Sequence, residues 1–452
     1  MKTNVCPLLV SAVVLDLAAH GLAAPVAKDV TVSQSGSDVV IAYSLSETAA
    51  VVTFDVETNC PATGAWASIG GENLWSVSPE SDAFRKVSGK DSYRIVWRPS
   101  TGLCAADFAA KTARAVVTAW SLDNRPDYMV VDLTASATNG SERYYASTNE
   151  LPGGLLENKI YRQSLLVMKK VVAKGVRWTM GCLAEEGQNH NSNAERAHPV
   201  ALTNDYYLGI FPMTRVQSAS IGYDAQCFIN SDDYGMRPAD RVCYNYLFTA
   251  SKDADAAFMW PNAPSESSPL GRLRKRTGLA LTLPSEAEWE FACRAGTGER
   301  KWNTGAAYTN STTDANLPGR YKMNGGYVDN GSGTLVTPNT GSDPSVGTAI
   351  VGSYAPSRWG FYDMHGNIYE WCLDWGEYDI TGYGGRPNID PEHPLQTLSG
   401  ATVTGRIVRG GSFAWPSANA RSACRNWINP TASGSDIGSP NLTGYRLCCP
   451  AD

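Results

Sequence analysis

From about residue 28 to residue 135, apolar and polar residues alternate in five short runs: Val39-Val-Ile-Ala-Tyr43, Ala50-Val-Val-Thr-Phe54, Tyr93-Arg-Ile-Val-Trp97, Ala115-Val-Val-Thr-Ala119 and Met129-Val-Val-Asp-Leu133. Successive side chains of a strand point to opposite faces, so this period, punctuated by turn residues, specifies antiparallel strands with one buried face. The segment 25–135 is expected to form a small all-β sandwich. Residues 136–160, with Asn139-Gly-Ser-Glu-Arg143 and Leu151-Pro-Gly-Gly154, read as a linker.

Beyond residue 160 the period breaks down. A chain of 452 residues exceeds one ordinary core, so two or three domains are expected. With 42 glycines, 25 prolines, 13 tryptophans and 21 tyrosines, the remainder should be a loop-rich body fixed by aromatic packing, not a helical bundle. Leu166-Val-Met168, Trp178-Thr-Met-Gly-Cys182, Val200-Ala-Leu202 and Tyr206-Tyr-Leu-Gly-Ile210 read as strands, and Pro212-Met-Thr214 opens a helix. The sequence Pro284-Ser-Glu-Ala-Glu-Trp-Glu-Phe-Ala292 has a local reason to be helical. Ser285 can cap the first turn and Glu288 completes a capping box, which puts Trp289, Ala292 and Cys293 on one face. Residues 297–358 are rich in glycine, asparagine and serine; ordered loops of that length need something to hold them.

The formal charge of −6 gives no support to a polyanionic partner such as nucleic acid. The basic cluster Arg272-Leu-Arg-Lys-Arg276 reads as the solvated side of a helix. Lys2, the apolar stretch Val5 to Ala19 and the small residues Gly21-Leu-Ala-Ala24 have the form of a signal peptide over residues 1–24. The expected location is therefore secreted, periplasmic or cell-surface. No later run approaches the ~20 apolar residues of a membrane span. Removal of Cys6 with the signal leaves ten of eleven cysteines, an even number suited to disulfides. The pairs expected are Cys60–Cys104, Cys227–Cys243, Cys372–Cys424, and Cys293 with Cys448 or Cys449, although spacing alone leaves the connectivity open. The adjacent Cys448 and Cys449 must point to opposite sides of a strand.

Leu283-Pro-Ser-Glu-Ala-Glu-Trp-Glu290, Gly366-Asn-Ile-Tyr-Glu-Trp371, Arg409-Gly-Gly-Ser412 and Gly444-Tyr-Arg446 follow one another in the last 170 residues. Together they make residues 161–452 resemble the formylglycine-generating enzyme family, also called sulfatase-modifying factors. The resemblance implies an α+β, C-type-lectin-like fold with much irregular loop, preceded here by an immunoglobulin- or fibronectin-like module. Asp363-Met-His-Gly-Asn-Ile-Tyr-Glu370 offers two carboxylates around a glycine turn, the oxygen donors a hard cation takes. By resemblance, structural calcium would use the side chains of Asp363 and Glu370 and the carbonyls of Gly366 and Ile368. A second calcium site maps onto Asn316, Leu317, Asp343 and Ser345. Without a metal, Asp363 and Glu370 would cap turns and accept from backbone amides. Arg409, Arg421, Arg425 and Arg446 read as structural forks for loop carbonyls and carboxylates.

The family's copper-dependent oxidases hold their metal through two cysteines shortly after the Gly-Gly-Ser, as soft-ligand preference predicts. Here Phe413 to Ala423 contains no cysteine, and copper is not expected. The family's iron branch uses clustered histidines on a helical partner domain. His190, His198, His365 and His393 lack helical ligand spacing, and iron is not expected either. No nucleophile elbow, His-Glu-x-x-His or phosphate loop is present. Trp302, Tyr308, Trp415 and Trp427 could present rings to a sugar or peptide. The expected function is a non-catalytic protein, peptide or carbohydrate binder; the alternative is a formylglycine-generating-type oxidoreductase acting on a protein cysteine through an atypical metal or thiol arrangement.

Overall fold

The computed structural model describes residues 24–182, 194–224, 234–253, 262–296, 319–324, 347–376, 405–431 and 442–451, except 75, 101, 135–139 and 323, together with short strands within 328–336 and 388–402. They fall into two compact units. One comprises residues up to 130 with 142–161, the other 131–141 with 162–451.

In the first unit, β1 (Ala27–Ser35), β2 (Asp38–Leu45) and β6 (Tyr93–Trp97) form one antiparallel sheet. In the other sheet, β3 (Ala49–Asn59) pairs along one edge with β4 (Trp66–Ser68) and β5 (Arg85–Ser88), and along the other with β7 (Ala113–Trp120). The alternation does what the sequence requires: Val39, Ile41 and Tyr43 of β2 and Tyr93, Ile95 and Trp97 of β6 are buried. Tyr43 lies opposite Tyr93, with ring centroids 5.3 Å apart. Phe54 of β3 meets Trp97 edge-on at 6.3 Å, so the apolar faces of the two sheets share one core. Helical turns α1 (Gly71–Leu74) and α2 (Ala105–Ala109) complete the connections, and β8 (Tyr128–Asp132) ends the run of alternating strands.

The stretch expected to be a bare linker carries structure. After β9 (Glu142–Tyr145) comes a 3-10 turn, Thr148–Glu150. Tyr145 stacks on Phe84 at 4.7 Å, and the Tyr161 hydroxyl donates to the Pro152 carbonyl at 3.0 Å. A Cβ at Gly71 would stand 2.3 Å from the Leu151 carbonyl oxygen, so α1 can approach this stretch only through a glycine.

In the second unit, β10 (Leu165–Val171), β13 (Tyr206–Gly209) and β23 (Cys448–Pro450) are antiparallel neighbours. A second sheet contains β11 (Arg177–Met180), β12 (His198–Ala201) and, parallel to β12, β17 (Asn388–Ile389). The sheet that matters most for the site has the order β21 (Arg425–Ile428), β20 (Arg406–Arg409), β16 (Tyr369–Trp375), β22 (Thr443–Gly444). Two-residue strands β14 (Val328–Asp329) with β15 (Leu335–Val336), and β18 (Thr397–Leu398) with β19 (Ala401–Thr402), pair locally.

Helices are few and short: α3 (Arg215–Ser220), α4 (Tyr244–Thr249), α5 (Pro269–Thr277) and α6 (Glu286–Arg294). On α5, Arg272 and Lys275 of the basic cluster are exposed, as expected. The capping box of α6 is formed: the Glu288 N–H donates to Ser285 Oγ at 3.3 Å, and the Ser285 N–H to Glu288 Oε2 at 2.8 Å. Trp289, Ala292 and Cys293 are fully buried. Among the described residues, no helix is long and apolar enough to cross a membrane.

The cysteine expectations need correction. Among the described residues, Cys60, Cys104, Cys243, Cys293, Cys372, Cys424 and Cys448 form no disulfide. Cys372 and Cys424 each border the Arg409 guanidinium instead of each other. Cys293 points to His365 and Ser422, whereas Cys448 lies beside Glu288, nearer the other end of α6. Cys60 is exposed beside Thr63, and Cys104 precedes α2, where its N–H donates to Asp107 at 2.7 Å. Cys227 lies outside the described residues; its expected partner Cys243 donates to the Pro430 carbonyl at 3.2 Å.

Candidate metal turn and the buried charge network

The turn that leads into β16 is built by backbone conformations most residues avoid. Asp363 and Asn367 have φ of 57° and 68°, and Gly366 106°. A Cβ on Gly366 would stand 2.2 Å from the Arg320 carbonyl oxygen, which explains the glycine. The Asn367 N–H donates to that same carbonyl at 2.7 Å, and the Gly366 N–H to the Gly410 carbonyl at 2.6 Å. The motif is thereby tied to the Arg409-Gly-Gly-Ser412 segment.

The two carboxylates of the turn sit in different surroundings. Asp363 accepts from the Gly352 N–H at 2.8 Å and from the Asn367 amide at 3.3 Å. Burial pushes its carboxyl up to about 6, against the pull of the Gly352 N–H and Arg446, and nearby Glu370 adds to the rise. Glu370 is already matched: Arg446 donates to both its oxygens at 2.8 and 3.0 Å, and the Trp289 indole to Oε2 at 2.7 Å. Arg446 also reaches the carbonyls of Gly209 at 2.7 Å and Tyr362 at 2.8 Å.

The Ile368 N–H donates to the Gly366 carbonyl at 2.9 Å, folding that oxygen back into the turn. Asp363, Gly366, Ile368 and Glu370 carry the oxygen donors a hard cation takes, but the Gly366 carbonyl is engaged by Ile368 and the Glu370 carboxylate by Arg446 and Trp289, and no group of three or more His, Cys, Asp or Glu side chains is gathered among the described residues. Asp363 is the under-compensated member, while Glu370 would have to share its charge with Arg446. Asn316, Leu317, Asp343 and Ser345 lie outside the described residues, as do His190, His393, Trp302 and Tyr308.

Behind β20, α6 and the last strands enclose a set of ion pairs. Glu290 takes Arg294 at 2.7 Å and also Arg409, and accepts the Gly181 N–H at 2.9 Å. Glu286 is gripped by both ends of Arg425, at 2.6 and 2.8 Å, with Arg409 Nε 3.2 Å away. Arg421 forms a two-pronged pair with Glu195 at 2.8 and 2.9 Å. The Asp374 carboxylate accepts the Glu286 N–H at 2.6 Å, anchoring the first turn of α6 to β16. Burial alone would raise the Glu290 carboxyl, but Arg294 and Arg409 hold it below the usual range. The carboxylate partners are 76 to 226 residues distant for Arg409, Arg421, Arg425 and Arg446, and no local sequence signal identifies them.

Cys293 Sγ is 3.7 Å from Ser422 Oγ and 4.0 Å from each ring nitrogen of His365. His365 Nδ1 faces the Ala420 carbonyl at 2.8 Å. Burial drives His365 down to about 4 and pushes both Cys293 and Cys424 up to about 12, so all three are neutral at pH 7. Ser412 is buried, and the Ala414 N–H donates to its hydroxyl at 3.4 Å, a turn role. His198 lies apart, its Nδ1 at 2.8 Å from the Arg196 carbonyl. Trp415 is 37% exposed, and Trp427 is half-buried.

The sulfatase-modifying factor enzyme 1-like domain family matches residues 168–439. The formylglycine-generating enzyme of Thermomonospora curvata is 33% identical over 180 residues, 39% of this chain and 51% of that protein. The formylglycine-generating enzyme of Mus musculus is 30% identical over 165 residues, 36% of this chain and 39% of that protein. The chain thus spans about half or less of the length of these relatives. Among solved structures, PvdO from Pseudomonas aeruginosa is 20% identical, covers 63% of this chain and 94% of that chain, and has a TM-score of 0.43. With a family match over residues 168–439, well over half the chain, and with Trp289, Glu370, Arg409 and Arg446 joined in the core those motifs build, the protein belongs to the sulfatase-modifying factor enzyme 1-like family.

Proposed function

We propose that this chain is an exported accessory protein that uses the family's fold to bind a ligand without oxidising it. The observation that carries the reading is the state of the thiols near the Gly-Gly-Ser segment. Soft-metal centres need thiolates, and thiolates form in electropositive, accessible surroundings. Cys293 and Cys424 are buried and pushed up to about 12, and residues 413–423 supply no other thiol. That same stretch is committed to structure through the Arg421–Glu195 pair and the 3-10 turn Ser417–Ala420.

Calcium at Asp363, Gly366, Ile368 and Glu370 is part of the proposal, as is a second calcium at Asn316, Leu317, Asp343 and Ser345. When bound, the cation neutralises the buried Asp363 charge. The first unit is proposed as an immunoglobulin-like sandwich serving as a spacer or docking module.

The test is an oxygen-uptake assay with a cysteine-containing peptide, alongside calorimetric titration of chelator-treated protein with calcium. Calcium uptake without oxygen consumption is the expected result. Turnover of the peptide would overturn the non-catalytic reading. Absence of calcium binding in wild type, or undiminished binding in Asp363→Asn, would overturn the metal assignment. The oxidoreductase alternative draws on one feature, the contact of Cys293 with His365 and Ser422. The full burial of that cysteine weighs against it.

A further inference from the structure

Residues Glu142–Tyr161 belong to the first unit, although the stretches on either side of them, 131–141 and 162 onward, belong to the second. The near end of this segment is tied to Phe84, which stacks on Tyr145 and accepts the Tyr144 N–H at 2.7 Å. Farther on, Ala146–Leu151 closes into a small loop. Glu150 Oε2 accepts the Ala146 N–H at 2.9 Å, and the N–H groups of Glu150 and Leu151 donate to the Ser147 and Thr148 carbonyls, each at 3.2 Å. Leu151 is fully buried, with its carbonyl against Gly71 of α1.

The carboxyls of this region have no cation. Asp55 of β3 accepts the Val56 N–H at 2.7 Å and the Ser68 hydroxyl at 2.9 Å, both on Oδ1. Asp55 Oδ2 and Glu150 Oε1 stay outside these bonds and can carry a proton. Arg114 of β7 is gripped by Glu57 at 2.6 Å and stacked 4.5 Å from the Trp66 ring. Arg85 of β5 pairs with Asp82, Lys86 beside it is exposed, and Arg143 of β9 donates to the Glu142 carbonyl. On α1, Glu72 adds only negative charge. Burial pushes Asp55 up to about 6, with nearby Glu57 adding to the rise, and pushes Glu150 up to about 7, with Asp55 adding to it.

Ionising both groups places two negative charges together where neither is paired. The strain is relieved most easily by moving the carboxyl on the short, largely half-buried loop. β3 is held along both edges by other strands. We infer that Asp55 and Glu150 form a pH-operated latch: protonated, they let Ala146–Leu151 stay closed against α1, and their ionisation opens that loop while β3 keeps its place. Opening uncovers Leu151, so an apolar surface is presented only at the higher pH. A carboxyl raised in the closed form favours closure fully below its ordinary value, about 4, and that preference is lost as pH rises through about 6 and about 7.

The test is amide hydrogen exchange on the full chain at pH 5 and pH 8, each amide corrected for the pH dependence of the exchange chemistry itself. Opening at Ala146, Glu150 and Leu151 should rise at least about tenfold between the two. These amides should also open more readily at pH 8 than those of β2 and β6. Glu150→Gln, a neutral side chain that keeps an acceptor for the Ala146 N–H, should remove most of the rise. Asp55→Asn, which keeps an acceptor for Ser68 and Val56, should remove a smaller part.

No rise between pH 5 and pH 8 in wild type would overturn the latch. Exchange of the loop only together with β2 and β6, at equal opening free energies, would overturn it as well, since the loop would then have no opening of its own. A rise in both variants equal to that of wild type would overturn the pair as its trigger.

Discussion

The two units solve the problem of making a core in opposite ways. In the first, Val39, Ile41, Tyr43, Phe54, Ile95 and Trp97 fill the interior, and the buried carboxylate Asp82 reaches an exposed cation, Lys90, at 2.8 Å. In the second, Arg409, Arg446, Glu290 and Glu370 are almost completely buried and paired with one another across strands and helix. Apolar packing tolerates imperfect neighbours; a buried charge does not tolerate losing its partner. The first core is therefore forgiving, whereas the second stands or falls as a connected set.

The largest expected effect breaks that set. Glu290→Ala leaves Arg294 without its carboxylate and Arg409 with Glu286 alone, and should cost roughly 3–5 kcal/mol. It should lower the denaturation midpoint of the second unit and spare the first, as followed by denaturant unfolding with hydrogen-exchange readout. A loss below about 1 kcal/mol would mean the network is not integral to the core. In the first unit, Ile41→Val should cost about 1 kcal/mol, with the effect confined to that unit's peptides. Ser285→Ala removes the cap of α6 and should cost on the order of 1 kcal/mol in the second unit.

Buried carboxyls respond to acidity in opposite senses according to their partners. Burial raises Asp55 to about 6 and Glu150 to about 7 in the first unit, the latter also through the nearby Asp55 charge. Carboxyls raised on folding contribute stability that is complete below their unfolded values and is lost as pH rises through about 6 and about 7. Glu290 is the reverse case: burial opposes its ionisation, but Arg294 and Arg409 prevail and keep it low. Its contribution is present above the ordinary carboxylate range and is lost as pH falls through its depressed folded value. Unit-resolved hydrogen exchange between pH 4 and pH 8 should show the first unit gaining at acid pH. Loss in the first unit at acid pH would contradict the burial of Glu150.

What could be read from the sequence divides along the same line. The alternation that defines β2 and β6 is carried by the side chains themselves, and the capping box of α6 lies within four residues. β1 escaped because only Ala27 and Val32 are buried and its register shifts at Asp29, erasing the alternation. The structural role of Arg409, Arg421 and Arg446 was legible from residue type and motif. Their partners were not, because each is chosen by the fold across a long stretch of chain. The expected Cys372–Cys424 pair is not formed for the same reason: spacing cannot tell that Arg409 lies beside both cysteines.

The central claim is that a family scaffold here works without a thiolate-held redox metal. Titration of the full chain with Cu(I) against a competing chelator, followed by thiolate-to-copper charge-transfer absorption, tests it most directly. The account predicts no tight stoichiometric site and no such absorption, with Cys293→Ser and Cys424→Ser indistinguishable from wild type in the titration. One equivalent of copper bound tightly, with absorption abolished by either substitution, would contradict it.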